Sequence, residues 1–151
     1  MHRQTNIFDK IGSLLPGYQG YNEREGRRQC DKVLRERVAI VLSDCQRVVE
    51  ARLADSVKAR DFAQLNALED CRKSLDTLAF KVAHAPYGVS AFFSDTQIRE
   101  GELAEIYRMD LDILEKATAL APAAETIALS VGIAGVARAL ETRNQYIMEM
   151  K

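Results

Sequence analysis

The sequence predicts an all-α protein, an up-down-up-down four-helix bundle preceded by a short N-terminal amphipathic helix. Apolar residues recur at steps of three and four along nearly the whole chain, the spacing of one buried helix face. Only three prolines and eight glycines interrupt 151 residues, too few for a turn-dense β architecture. The interruptions fall between four long stripes, and short connections between successive helices make them antiparallel neighbours. Residues 1–21 read as an N-terminal arm and residues 22–151 as the bundle.

Within the arm, Ile7, Phe8, Ile11, Leu14 and Leu15 share one side of a short helix that Pro16-Gly17 ends. The first long helix starts at Asn22, whose capping partner is Glu25 three residues on, and runs to about Lys58. Its seam reads Leu34, Val38, Val41, Cys45, Val48, alternating steps of four and three. Gly26 weakens its first turns by about 1 kcal/mol relative to alanine. The second helix begins at Asp61, paired with Gln64, and carries Phe62, Leu65, Leu68, Cys71, Leu75, Leu78 and Val82 up to the break Pro86-Tyr87-Gly88. A third follows from Ser94 with Gln97, placing Leu103, Ile106, Asp110, Ile113, Ala117 and Leu120 inward. Pro122 suits the first position of a fourth, which offers Leu129, Ile133, Val136, Ala137, Leu140 and Ile147.

The composition narrows the chemistry. Two histidines, His2 and His84, lack the Glu-x-x-His spacing of di-iron bundles, and there is no C-x-x-C-H for haem, so no metal and no cofactor is expected. Cys30, Cys45 and Cys71 are odd in number and unpaired in spacing, which suits a reducing compartment. No histidine is placed to activate a thiol, so no catalytic residue is assigned. The first residues lack a signal peptide's apolar core, and the longest apolar run, Thr126 to Ala137, is shorter than the roughly 20 residues a membrane span needs. A cytoplasmic location is the expectation. Residues 1–60 hold 12 Lys/Arg against 8 Asp/Glu, and residues 61–151 hold 9 against 14, within a net charge of −1. That asymmetry places a basic first helix beside an acidic third or, alternatively, marks a basic patch for phosphates or anionic lipid. The basic run from Arg24 to Arg37 is interleaved with acids and lacks aromatics, so nucleic-acid binding is not expected.

Asp110 is the sharpest anomaly, a carboxylate in the middle of an apolar arc. Buried, it needs a cationic or hydrogen-bonding partner. Arg52 occupies a seam position where an apolar residue is due and ranks first; Arg72, nearer the edge of its stripe, ranks second. The centre reads as a register-fixing ion pair or, alternatively, as a polar pocket for a small anion. Thr126, Ser130 and Asn144 extend a polar seam on the fourth helix, where Gly132 and Gly135 allow close packing or a homodimer face.

Two segments are candidate interfaces. The arm presents Phe8, Ile11, Leu15, Tyr18 and Tyr21, which either cap the core or dock onto a partner or a membrane surface. The connection Tyr87 to Phe93 holds Phe92 and Phe93, of which one serves as an interface anchor unless both cover the bundle end. The stretch Phe8-Asp9-Lys10-Ile11-Gly12-Ser13-Leu14-Leu15-Pro16-Gly17-Tyr18-Gln19-Gly20-Tyr21, continuing through Arg24-Glu25, Arg27-Arg28, Asp31-Lys32 and Leu34-Arg35, resembles the opening of small bacterial helical proteins without an assigned activity. The resemblance spans about a fifth of the chain and implies a bacterial source and no chemistry. The expected function is a non-enzymatic interaction or assembly module with a protein partner or a second copy. The alternatives are a membrane-surface adaptor using the arm and a small-anion binding protein or enzyme centred on Asp110.

Overall fold

A computed structural model describes residues 2–95 and 97–150, with side chains over 7–93 and 97–150. Among the described residues there is no strand. The helices are α1 (His2–Leu14), α2 (Arg27–Ala59), α3 (Phe62–Ala83), α4 (Tyr87–Asp95), α5 (Glu100–Thr118) and α6 (Thr126–Glu149), with a 3₁₀ turn at Arg24–Gly26 before α2.

The long helices start and stop for local reasons, not always the expected ones. Asp61 caps α3, its Oδ1 accepting the Gln64 N–H at 3.1 Å, as the sequence spacing suggested. Arg60 adopts φ 56° and turns the chain between α2 and α3 in two residues. At the other boundaries the expectations need correcting. No Asn22–Glu25 box opens α2; the 3₁₀ turn does, and the helix proper begins at Arg27. The Ser94 side chain lies outside the described residues, and α5 begins instead at Glu100, where Glu102 Oε1 accepts the Arg99 N–H at 3.0 Å. Pro122 precedes α6 by four residues rather than opening it.

The connection holding Phe92 and Phe93 is itself a helix, α4. The second long helix stops before Pro86-Tyr87-Gly88 as expected, and the Pro86 carbonyl then accepts from the Val89 and Ser90 N–H groups, so the proline also opens the next helix. Helix α4 packs on α2 and α6 and carries the chain across, so that α3 and α5, consecutive long helices, do not lie side by side among the described residues. Instead α3 lies against α2 and α6, and α5 lies against α6, α2 and the arm helix α1.

The core is continuous. The buried seam of α2 is Leu34, Val38, Leu42, Cys45 and Val49; Val41 and Val48 fall at its edge, one residue out of the expected register. Leu68, Cys71, Leu75, Leu78 and Val82 of α3 meet Leu129, Ile133, Val136 and Leu140 of α6, while Phe62 stands exposed. Ile11, Leu15, Tyr18 and Tyr21 of the arm are buried in the same core as Phe92 and Phe93. The arm is therefore part of the folded body.

Candidate functional site

Asp110, midway along α5, is fully buried and is the point on which the arm, α2, α5 and α6 converge. Its Oδ2 accepts the hydroxyls of Tyr18 at 2.6 Å and Tyr21 at 2.7 Å. Its Oδ1 accepts Nε of Arg143, from α6, at 2.5 Å. Arg143 Nη2 donates in turn to the Tyr21 hydroxyl at 2.7 Å. A carboxylate carries only acceptors, and three donors, one cationic, supply what its burial requires.

The loop after α1 is shaped to deliver both phenols. Gly17 and Gly20 have φ of +89° and +85°, conformations that suit glycine. At Gly20 a Cβ would stand 2.5 Å from the Tyr107 hydroxyl and 2.6 Å from a ring carbon of Phe8, so the chain can pass only where no side chain projects. Tyr107 then accepts the Tyr21 N–H at 3.0 Å, and Arg27 Nε donates to the Tyr21 carbonyl at 3.0 Å. Around these bonds the rings of Phe8, Tyr18 and Tyr107 pack edge to face or tilted, and Tyr21 stacks on Phe93 at 5.0 Å.

On its far side Arg143 faces Asp31 of α2, with Nη1 2.9 Å from Oδ1, an ion pair whose alignment falls short of a hydrogen bond. Asp31 Oδ2 accepts Nε of Arg35 at 3.0 Å. Arg35 reaches on to the Val82 carbonyl at 3.0 Å and to Asn144 Oδ1 at 3.3 Å. The Val82 carbonyl belongs to the last turn of α3, where helix geometry leaves acceptors without internal partners. Two aspartates and two arginines thus alternate through the interior, balanced in charge, and tie the arm and four long helices together.

Electrostatics keep this centre chemically quiet. Burial, then the negative charge of Asp110, push the Tyr18 phenol well above its ordinary range. Burial raises Tyr21 likewise, with Arg143 opposing and Asp110 adding. Burial, followed by Asp110, drives the Cys30 thiol up to about 12, despite neighbouring donors that favour its thiolate. Burial tends to discharge Arg143, but Asp110, Tyr21 and Asp31 outweigh it and hold the guanidinium well above its usual value. Both phenols and the thiol therefore keep their protons at neutral pH, and none of the three serves there as a base or nucleophile. The cavity beside Arg35 and Arg143 holds about 10 Å³, water-sized at most and far below the roughly 300 Å³ at which ligand pockets begin. Among the described residues no three His, Cys, Asp or Glu side chains gather to hold a metal ion.

The residues singled out from sequence separate into two groups. Asp110 sits in the centre, but its cationic partner is Arg143, not Arg52 or Arg72. Arg52 is half-buried near the far end of α2, where it donates to the Pro122 and Ala124 carbonyls at 2.6 and 2.8 Å and pins the α5–α6 connection. Arg72 lies on the outer edge of α3 and pairs with Glu69 and Asp76. The helix that supplies the partner is α6. Arg143 itself was legible, since it lies three residues after Leu140 and four before Ile147 on the buried stripe. Of the proposed interface residues, Ile11, Leu15, Tyr18, Tyr21, Phe92 and Phe93 are buried in the core, and Phe8 is partly buried against it.

The exposed apolar surface lies elsewhere. On α6, Ile127 and Val131 are 76% and 68% exposed and stand beside two grooves between α3 and α6, of about 270 and 340 Å³. Both grooves are lined by Ser130. Gly132 gives up its Cβ to Leu120, whose Cδ2 would lie 2.9 Å from it. Gly135 has no such reason: a Cβ there would meet nothing within 4 Å, although glycine inside a helix costs about 1 kcal/mol relative to alanine. Among the described residues no helix is long and apolar enough to cross a membrane. No known protein family, curated protein or solved structure matches the chain.

Proposed function

We propose that this chain is a non-enzymatic interaction or assembly module, a four-helix bundle whose buried ionic network fixes its shape and whose outer α3/α6 face meets a partner. The observation that carries this reading is the contrast between the two surfaces. The acceptors of the polar centre at Asp110 are taken up by the chain's own Tyr18, Tyr21 and Arg143 side chains. The α3/α6 face, by contrast, leaves Ile127 and Val131 in solvent beside open grooves. Exposed apolar surface that is contiguous with a groove is the kind of surface a partner covers. Against the anion-binding alternative, Arg143 is already engaged by Asp110 and the Tyr21 hydroxyl. Against the membrane-adaptor alternative, Ile11, Leu15, Tyr18 and Tyr21 are buried in the core. Three free, buried cysteines support a cytoplasmic setting.

A photo-activated cross-linking residue at Val131, introduced in vivo, tests the reading. A discrete protein adduct is expected from Val131 and none from Arg47, an exposed position on α2. Absence of any adduct from Val131 would remove the reading.

A further inference from the structure

Resting on the interaction-module reading, we infer that the α3/α6 face pairs with the same face of a second copy of this chain, the two antiparallel about a twofold axis. Three observations converge on this occupant.

The first is charge placement. Asp70, in the first half of α3, lines one of the two grooves, and Lys81, near the helix end and about 16 Å further along, lines the other together with Lys73. Among the described residues neither makes an ion pair, although Arg72, between them on another face, is paired twice. A twofold axis lying in the interface and perpendicular to the helices sets Lys81 of one copy opposite Asp70 of the other, twice over.

The second is register. Helices α3 and α6 run in the same direction along the groove: Ala67 and Cys71 lie level with Ile127, and Thr77 and Leu78 lie level with Ile133 and Ala134. The midpoint of Asp70 and Lys81 therefore falls level with residue 133. Residue 133 is also the midpoint of Val131 and Gly135. The same axis that pairs the charges places the exposed Val131 of each copy over the open Gly135 of the other. A glycine with no neighbour inside its own chain thereby gains one.

The third is size. Two helices side by side present roughly 30 by 20 Å, about 600 Å² per copy, below the roughly 800 Å² of a standard stable interface. The face suits a reversible dimer that forms in the micromolar range, without the wide apolar surface of an obligate one.

Light scattering and sedimentation of the full chain from about 1 to 500 μM test the pairing. The mass is expected to rise from the 16.9 kDa of one chain towards twice that value. Val131→Glu and Gly135→Leu, both at sites open to solvent, should each weaken association at least tenfold while leaving the helical circular dichroism unchanged. Lys81→Glu and Asp70→Lys should each weaken it severalfold, and the double variant in one chain should recover most of the loss. A single-chain mass throughout overturns the inference, as does a dimer indifferent to these substitutions or a double variant no better than the singles. If the purified chain stays monomeric while Val131 cross-links to a different protein in vivo, the second-copy inference fails and the interaction-module reading stands. If Val131 gives no adduct at all, that reading fails as well.

Discussion

At the scale of single residues, Asp110 shows how position decides what a charge does. Exposed pairs such as Lys116–Asp112 gain little because water screens them. Asp110 is fully buried, and removing its charge leaves Arg143 facing only the poorly aligned Asp31. Asp110→Asn is therefore expected to lower stability by about 3–5 kcal/mol, the cost of an uncompensated buried charge, measured by urea denaturation. Tyr18→Phe and Tyr21→Phe remove bonds to a charged acceptor, worth about 1.5–3 kcal/mol each. Tyr21→Phe should cost more, because it also strands Arg143 Nη2. An Asp110→Leu variant that keeps its helicity and melts no lower would contradict this structural role. The buried thiol adds a pH signature. Cys30 has a folded-state value of about 12, above the ordinary thiol range. A raised folded value means that its contribution is whole below the unfolded value, near 9, and is lost as pH climbs towards 12. Tyr18 and Tyr21, raised in the same sense from near 10, join that loss at higher pH. Stability should fall by about 0.7 kcal/mol per pH unit for Cys30 alone at pH 9, steepening towards about 1.4 kcal/mol per unit above pH 10. Denaturant midpoints measured from pH 8 to 11 should show a shallower slope between 9 and 10 in Cys30→Ala.

At the scale of elements, two glycines in one loop separate backbone conformation from space. Gly17 and Gly20 share nearly the same φ, but only Gly20 is enclosed, by Tyr107 and Phe8. Gly17→Ala should cost about 1 kcal/mol, the strain of a left-handed alanine alone. Gly20→Ala must in addition displace the Tyr107 hydroxyl and the Phe8 ring, so it should cost at least twice as much and speed tryptic cleavage at Lys10. Equal effects would mean that the loop does not pack as described. Helix existence was legible in the sequence because a period near 3.6 is hard to mistake over twenty residues. Register was less so, since steps of three and four are satisfied equally by Val41 and Val48 or by Leu42 and Val49, and only packing chooses. Helix α4 was hidden because nine residues carry too little periodicity to outweigh a Pro and a Gly. The partner of Asp110 was missed because Asn144 filled the inward slot that Arg143 also occupies; both are buried, one serving Arg35 and the other Asp110. The sequence pattern places a residue on a face but does not say which long side chain crosses the core.

At the scale of the molecule, the question is whether the arm belongs to the cooperative unit or detaches from it. Its sequence is ambiguous: an apolar stripe ending in Pro-Gly serves a docked cap and a free hook equally well. The structure commits the arm at both kinds of contact. Ile11 and Tyr21 are fully buried, and each phenol reaches Asp110. Undocking would expose that apolar surface and leave Asp110 with one donor in place of three, which makes partial opening nearly as costly as unfolding. Hydrogen exchange reads this directly, because amides released by a local opening exchange with the free energy of that opening alone. The Tyr21 amide, bonded to the Tyr107 hydroxyl at 3.0 Å, reports on the arm, and the amide of Leu114, buried within α5, reports on the interior. The two should exchange with free energies within about 1 kcal/mol of each other, and both should shift together with added urea. A Tyr21 amide that exchanges several kcal/mol more easily, with no dependence on urea, would show an arm that opens by itself. That outcome would return the membrane-adaptor alternative to consideration, because the surface it requires would then be transiently free.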